Sequence, residues 1–282
     1  MCFTSIVLGL CCIGISSNCS LEASVDYLFS LGASRANIIY RARPTPALAV
    51  DDQGRIAFSL EAGKIVLLSS DGRIVKTVDG SLDGYPRQMS FGESGNLIVL
   101  DQSRLHLRDL AVGSVLPYST DNWLSLVAPT VAADLRRCEV LLGSNTTVAW
   151  DTDSVYVYET PTLASVSRET CRQQTVVEAP LGYLIGAATP HDFLFLNATN
   201  DCFLVSVRDG NKAVRRPIED VAGQRPTVAQ LDPPEGNSAE TNKANRRRGW
   251  YWSVADGKLY KVMHAPAGFH FFEYKLRAHD DR

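Results

Sequence analysis

Five acidic residues recur at matching places along this chain, and they are the side chains best suited to chemistry. Glu61, Asp101, Asp153 (with Asp151 beside it), Asp201 and Asp256 each fall between two short apolar runs that read as the second and third strands of a unit. Carboxylates gathered from several connections onto one face suit a hard cation, and Ca²⁺ takes about six to eight oxygen ligands. Asp is also an ordinary turn former, because its carboxylate bonds nearby backbone N–H groups. Turn formation is the preferred reading, a shared Ca²⁺ site is the alternative, and no other cofactor is expected. Two histidines, His264 and His270, flank Ala265 to Gly268, with Glu273, His279, Asp280 and Asp281 as nominal co-ligands. They read as surface residues on the outer strands of a sheet rather than as a metal site.

Nucleophile and phosphate chemistry find little support. The strand-to-helix elbow G-x-S-x-G is absent, and the nearest string, Gly92-Glu93-Ser94-Gly95, is a turn. Neither G-x-x-x-x-G-K-[ST] nor G-x-G-x-x-G occurs. Recognition is better represented. Tyr85 and Arg87 lie in DGSLDGYPR and Trp123 in STDNWLSLVAPT, both read as connections between units. Packing between blades is the preferred reading of these aromatics, and the alternative is an interface anchor, for which aromatics beside Asp and Arg are suited. The run Trp250-Tyr251-Trp252 alternates along a strand and reads as packing.

The elements that position these residues are β-strands. Runs rich in Val, Ile, Leu, Tyr and Phe alternate with Gly, Asp, Asn and Pro. Amphipathic helix is nearly absent, the best candidate being a turn or two within Ser24 to Leu31. The pattern starting at Pro46 (PALAVDDQGRIAFSLEAGKIVLLSSDGRIVKTVDG) starts again at Pro86, with Gly54 matching Gly95 and Ile65 matching Leu105. In the first copy the strands are Ala47 to Val50, Arg55 to Ser59, Lys64 to Ser69 and Ile74 to Val78. Weaker copies open near Thr130, Gly182 and Thr227. The third runs through CEVLLGS, VYVYE and LASVS; the last runs through TVAQL, GWYWSV, KLYKVM and FHFFEYKL. A four-stranded unit recurring at about 40 to 50 residues is the signature of a β-propeller. The expected fold is therefore all-β: a β-propeller of four-stranded blades with five visible repeats. Ala36 to Arg43 is an unassigned strand that either closes the last blade or marks a sixth.

The pattern Pro-x-hydrophobic-Ala-Val-Asp-x-x-Gly-x-Ile, followed by a Gly-Lys-Ile or Ser-Arg-Leu strand and then Asp-Gly, resembles the NHL-type repeat. It is also similar to the wider gluconolactonase-like group of propellers. The match covers Pro46 to Leu116 and is faint beyond. It implies the propeller fold, and by analogy a metal-dependent lactonase or esterase activity. The early Glu-Gly-Pro string and the Asn-rich ligand series of that group are missing here.

Composition and the chain start set the compartment. The chain has 282 residues, 45% hydrophobic, enough for a single propeller domain over 21–282. A net charge of -3 argues against a nucleic-acid partner. No apolar run is long enough to span a membrane. Phe3 to Ile15 suits the apolar region of a signal peptide, taken as 1–20, although no Lys or Arg precedes it. Cys138, Cys171 and Cys202 lie in the body, and their pairing is open. Asn145 and Asn197 head glycosylation sequons. A polar stretch from Asp232 to Gly249, ending in Lys243 and Arg246 to Arg248, reads as a loop insertion. Together these give a secreted, monomeric, non-catalytic scaffold binding a protein or carbohydrate. The alternatives are the metal-dependent hydrolase and, in a bacterial periplasm, an envelope assembly factor.

Overall fold

A computed structural model describes residues 21–32, 48–61, 64–79, 86–101, 105–197, 201–208, 212–222, 251–255, 258–265 and 268–278. The described strands form five four-stranded antiparallel sheets, and these are the blades of a β-propeller. The first blade is β2 (Leu48–Val50), β3 (Ile56–Glu61), β4 (Lys64–Leu68) and β5 (Ile74–Asp79). The second is β6 (Pro86–Phe91), β7 (Leu97–Asp101), β8 (His106–Asp109) and β9 (Val115–Pro117). The third is β10 (Thr147–Trp150), β11 (Ser154–Glu159), β12 (Thr162–Ser167) and β13 (Gln173–Glu178). The fourth is β14 (Tyr183–Thr189), β15 (Asp192–Leu196), β16 (Cys202–Arg208) and β17 (Lys212–Pro217). The first strand of each blade is innermost: β2 packs beside β6 and β18, and β14 beside β10 and β18.

The fifth blade joins the two ends of the chain. β18 (Tyr251–Ala255), β19 (Lys258–Ala265) and β20 (Gly268–Ala278) supply three strands, and β1 (Leu21–Gly32) supplies the outer one. β1 pairs antiparallel with β20 from Leu21↔Ala278 to Gly32↔Gly268. Leu21 to Gly32 is thus a strand and not the helical turn expected within Ser24 to Leu31. Its apolar residues find cross-strand partners that a short isolated helix would lack. Phe29 stacks on Phe271 at 4.7 Å between ring centroids. Phe58 of the first blade meets Phe269 edge-on at 4.7 Å and Phe271 at 5.7 Å. One aromatic cluster therefore ties the closing blade to its neighbour. Gly72 (φ +79°) approaches Phe29 so closely that a Cβ there would lie 2.5 Å from the ring.

Helices interrupt the repeat between the second and third blades. α1 (Thr120–Val127) begins at Ser119, whose hydroxyl accepts from the Asn122 N–H. α2 (Pro129–Arg137) begins with Pro at its first position. Thr130 was expected to open a strand, and it lies instead in α2. The spacing of Leu124, Ala128, Val131, Ala132 and Leu135 is helical, and these side chains pack on Val155 and Val166 of the third blade. A one-turn helix, α3 (Ile218–Val221), follows the fourth blade and packs on β1, β16 and β17. The strand assignments in the third and last units shift by one as a result. β11 is a second strand where the sequence placed a third, CEVLLGS forms no strand, and β18 is a first strand where the sequence placed a second. The proposed strands at Ala36 to Arg43 and Thr227 to Leu231, and the insertion Asp232 to Gly249, lie outside the described residues.

Replacing Phe29 with Ala should cost about 2 to 3 kcal/mol, somewhat less than a fully buried Phe because its ring is partly exposed. Tyr27→Ala, with Tyr27 49% exposed, should cost less than about 1 kcal/mol. Urea denaturation with unchanged slope checks both.

Candidate functional site

In each blade the start of the first strand and the end of the second lie at the same end of the ring, because the two strands are antiparallel neighbours. That end collects the backbone positions of Arg87, Asp101, Tyr183 and Glu61, and the hydrogen-bonded Asn197 and Asp201. Pro86 pairs with Asp101 and Gln88 with Leu100, so Arg87 is the extra residue of a β-bulge opposite the end of β7. The structure thereby brings a sequence-predicted binding residue, Arg87, next to a predicted metal ligand, Asp101. Asp101 is fully buried. Glu61 pairs with Lys64 across the tight end of β3 and β4. Tyr183 opens β14 and is 59% exposed. Sequence reasoning passed over it; the available signal was an aromatic directly after a Pro-Leu-Gly turn. Tyr85 lies outside the described residues.

The four described acids do not all lie at one end of the ring. Glu61, Asp101 and Asp201 follow second strands. Asp153 lies between β10 and β11, a first-to-second connection at the opposite end of the ring. The one-strand shift in the third unit is the cause. Asp256 lies outside the described residues. Among the described residues no three His, Cys, Asp or Glu side chains gather as a metal site.

Several acids are engaged in their own turns. Asp201 accepts from the Asn197 Nδ2 at 3.1 Å, while its backbone N–H donates to Asn197 Oδ1 at 2.9 Å. Asp151 accepts the N–H groups of Asp153 (2.9 Å) and Ser154 (2.7 Å) and the Tyr156 hydroxyl (2.7 Å). Burial, and then the Asp151 carboxylate, push the Tyr156 hydroxyl well above its ordinary range. Asp51 takes the N–H groups of Gln53 and Arg55 and the Arg55 guanidinium. Asp109 takes the N–H groups of Ala111 and Val112 and the Asn96 amide. Ser94, in the Gly92–Gly95 turn, donates to Asn96 Oδ1 at 2.6 Å. These are local turn bonds. His270 is 4% exposed rather than on the surface, with its Nδ1 3.4 Å from the Tyr27 hydroxyl. Glu273 is also buried and accepts from Tyr260 at 3.1 Å.

Trp123 sits on α1, half-buried, and not in an extended connection. A disulfide, Cys138–Cys171, ties the C-terminal end of α2 to the β12–β13 turn. Cys202 is fully buried in β16. Around the disulfide, Asp134 pairs with Arg168 (2.8 Å) and Arg137 (3.1 Å). Hydrogen bonds from Arg168 and then Arg137 hold the Asp134 carboxyl below its usual 3.8. At the other end of α2, Glu93 accepts from the Thr130 hydroxyl at 2.6 Å, a carboxylate at a helix N-terminus. Asn145 is exposed in the turn before β10, whereas the Asn197 amide is engaged with Asp201. No described helix is long and apolar enough to cross a membrane.

No protein-family model and no curated protein sequence matches the chain. Solved structures are similar at low identity. A streptogramin B lyase is 14% identical with a TM-score of 0.30, over 82% of this chain and 65% of its own length. BamB from Moraxella catarrhalis is 11% identical with a TM-score of 0.38, over 86% and 87%. A glutaminyl cyclase from Myxococcus xanthus is 11% identical with a TM-score of 0.43, over 92% and 99%. This chain thus spans about two thirds of the lyase. The β-propeller architecture rests on the five sheets themselves.

Asp151→Ala should destabilise by about 1 to 3 kcal/mol by stranding the groups it bonds, and the exposed Asp201→Ala by less than about 1 kcal/mol. Chemical denaturation measures both. Because Asp134 is held below 3.8 in the folded chain, its contribution is complete above that value and is lost as the pH falls through the lowered one. The stability gap between the native chain and Asp134→Asn should therefore close on acidification below about pH 4.

Proposed function

We propose that this chain is a secreted, monomeric β-propeller that binds a protein or carbohydrate partner without a catalytic step. The supporting observation is the end of the ring where Tyr183 stands exposed at the mouth of β14, with Arg87 on the bulge of β6. An exposed aromatic on a rigid strand, together with an arginine, has the composition of an interface anchor. The turn acids described above are engaged in local hydrogen bonds, which suits a scaffold. The disulfide suits an oxidising compartment. The exposed Asn145 is the better placed of the two sequons for a glycan.

The test is binding by glycan array and by cross-linking on the native surface, compared with Tyr183→Ala and Arg87→Ala. Each substitution should weaken a bound partner by about 10-fold or more with unchanged folding. One equivalent of Ca²⁺ retained after exhaustive dialysis and lost in Asp101→Asn, with turnover of lactones or esters, would replace this reading by the hydrolase one. Expression through a eukaryotic secretory route should add a glycan that Asn145→Gln removes, read as a mass shift.

A further inference from the structure

We propose that the Cys138–Cys171 disulfide is a reducible latch on the seam between the second and third blades. A dithiol reductant opens it and frees the α1–α2 hairpin while the five sheets stay folded.

The seam differs from the other blade contacts. There the hairpin stands between β8 of the second blade and β11 and β12 of the third. Helices of 8 and 9 residues are too short to persist undocked. They depend on Leu124, Val131, Ala132 and Leu135 resting against Val155 and Val166. The buried Thr120 hydroxyl bonds the Gly143 and Thr146 carbonyls at the start of α1, and Asp134 with Arg168 is partly buried. The remaining polar ties, Glu93 to Thr130, Arg136 to Asp121 and Arg137 to Asp134, are exposed or half-exposed. Exposed pairs of this kind hold weakly. The disulfide is the covalent hold on the last turn of α2.

The two sulfurs are placed differently. Cys138 is 8% exposed within the apolar cluster, whereas Cys171 is partly exposed in a turn. The Arg137 guanidinium donates to Cys171 Sγ at 3.4 Å, and to the carbonyls of Arg168 and Glu169. Asp134 shares this guanidinium, but Arg168 balances its charge. A cation beside a sulfur favours its thiolate form.

The reaction follows from this asymmetry. One thiolate of the dithiol attacks Cys171 Sγ; the S–S bond breaks, and Cys138 leaves as a thiolate that takes up a proton. The second thiol of the reductant attacks its own sulfur in the mixed disulfide and expels Cys171 as a thiolate beside Arg137. The protein disulfide becomes two thiols, and the dithiol becomes a cyclic disulfide. In the reverse direction, the Arg137-supported Cys171 thiolate is the attacking group.

The test treats the full chain with dithiothreitol in native buffer and follows maleimide labelling and amide hydrogen exchange by mass spectrometry. Cys138 and Cys171 should label while buried Cys202 does not. Exchange over 120–137 should rise about 10-fold or more, with β14 to β17 and β20 unchanged. In the reduced chain, Arg137→Leu should slow Cys171 alkylation at neutral pH and move its pH profile upward, and Arg137→Lys should restore it. The proposal is overturned if labelling requires denaturant, if exchange rises all round the ring, or if Arg137→Leu leaves the alkylation profile unmoved.

Discussion

The structure depends on the pairing of β1 with β20. A four-stranded sheet is apolar on both faces and needs a neighbour on each side, so a row of such sheets is stable only when its ends meet. Here they meet through a hydrogen-bonded ladder running from Leu21↔Ala278 to Gly32↔Gly268. Phe29 and Phe271 stack within it, and Phe58 of the first blade meets Phe271 and Phe269 edge-on. The closing strand is thus held both by its own sheet and by the next one.

The second constraint is the seam between the second and third blades, where two short helices take part in the packing. Their amphipathic faces supply the apolar surface that a neighbouring sheet supplies elsewhere. With the β12–β13 turn of the third blade they share a disulfide and two arginines around Asp134, and α1 carries Trp123. The blades alone make a repetitive, locally satisfied framework, with turn carboxylates bonding the N–H groups of their own loops. The disulfide and the ion-pair cluster of the described surface lie together at the seam.

Much of this was legible in the residues. The first, second and fourth blades follow the strand runs and Asp-Gly turns read from Pro46, Pro86 and Gly182, because period-two apolar patterns and turn residues act locally. The helices escaped notice: in STDNWLSLVAPTVAADLRR the Ser119 cap and Pro129 start are helix signals, but the surrounding repeat favoured a strand at Thr130. That misplacement moved Asp153 to the wrong end of the ring. β1 was hidden because its partner lies at the far end of the chain, and no local pattern records a pairing across such a distance. The Asp101 and Arg87 juxtaposition was hidden for a related reason: a bulge is a property of the ladder and not of either strand.

The ladder between the chain's ends also sets the order in which the molecule can be made. Asp26 meets Lys275 across a sequence separation of 249. Closing so long a loop costs about 3 kcal/mol more in chain entropy than closing a hairpin of about 10 residues. On a ribosome, the first four blades can collect their strands as they emerge, each from residues made within a short interval. The fifth waits until β20 has been synthesised, and until then the first blade keeps one apolar face uncovered and β1 keeps its backbone unpaired. The nascent chain therefore carries an uncovered apolar sheet face and an unpaired strand until the last strand of the ring has been made.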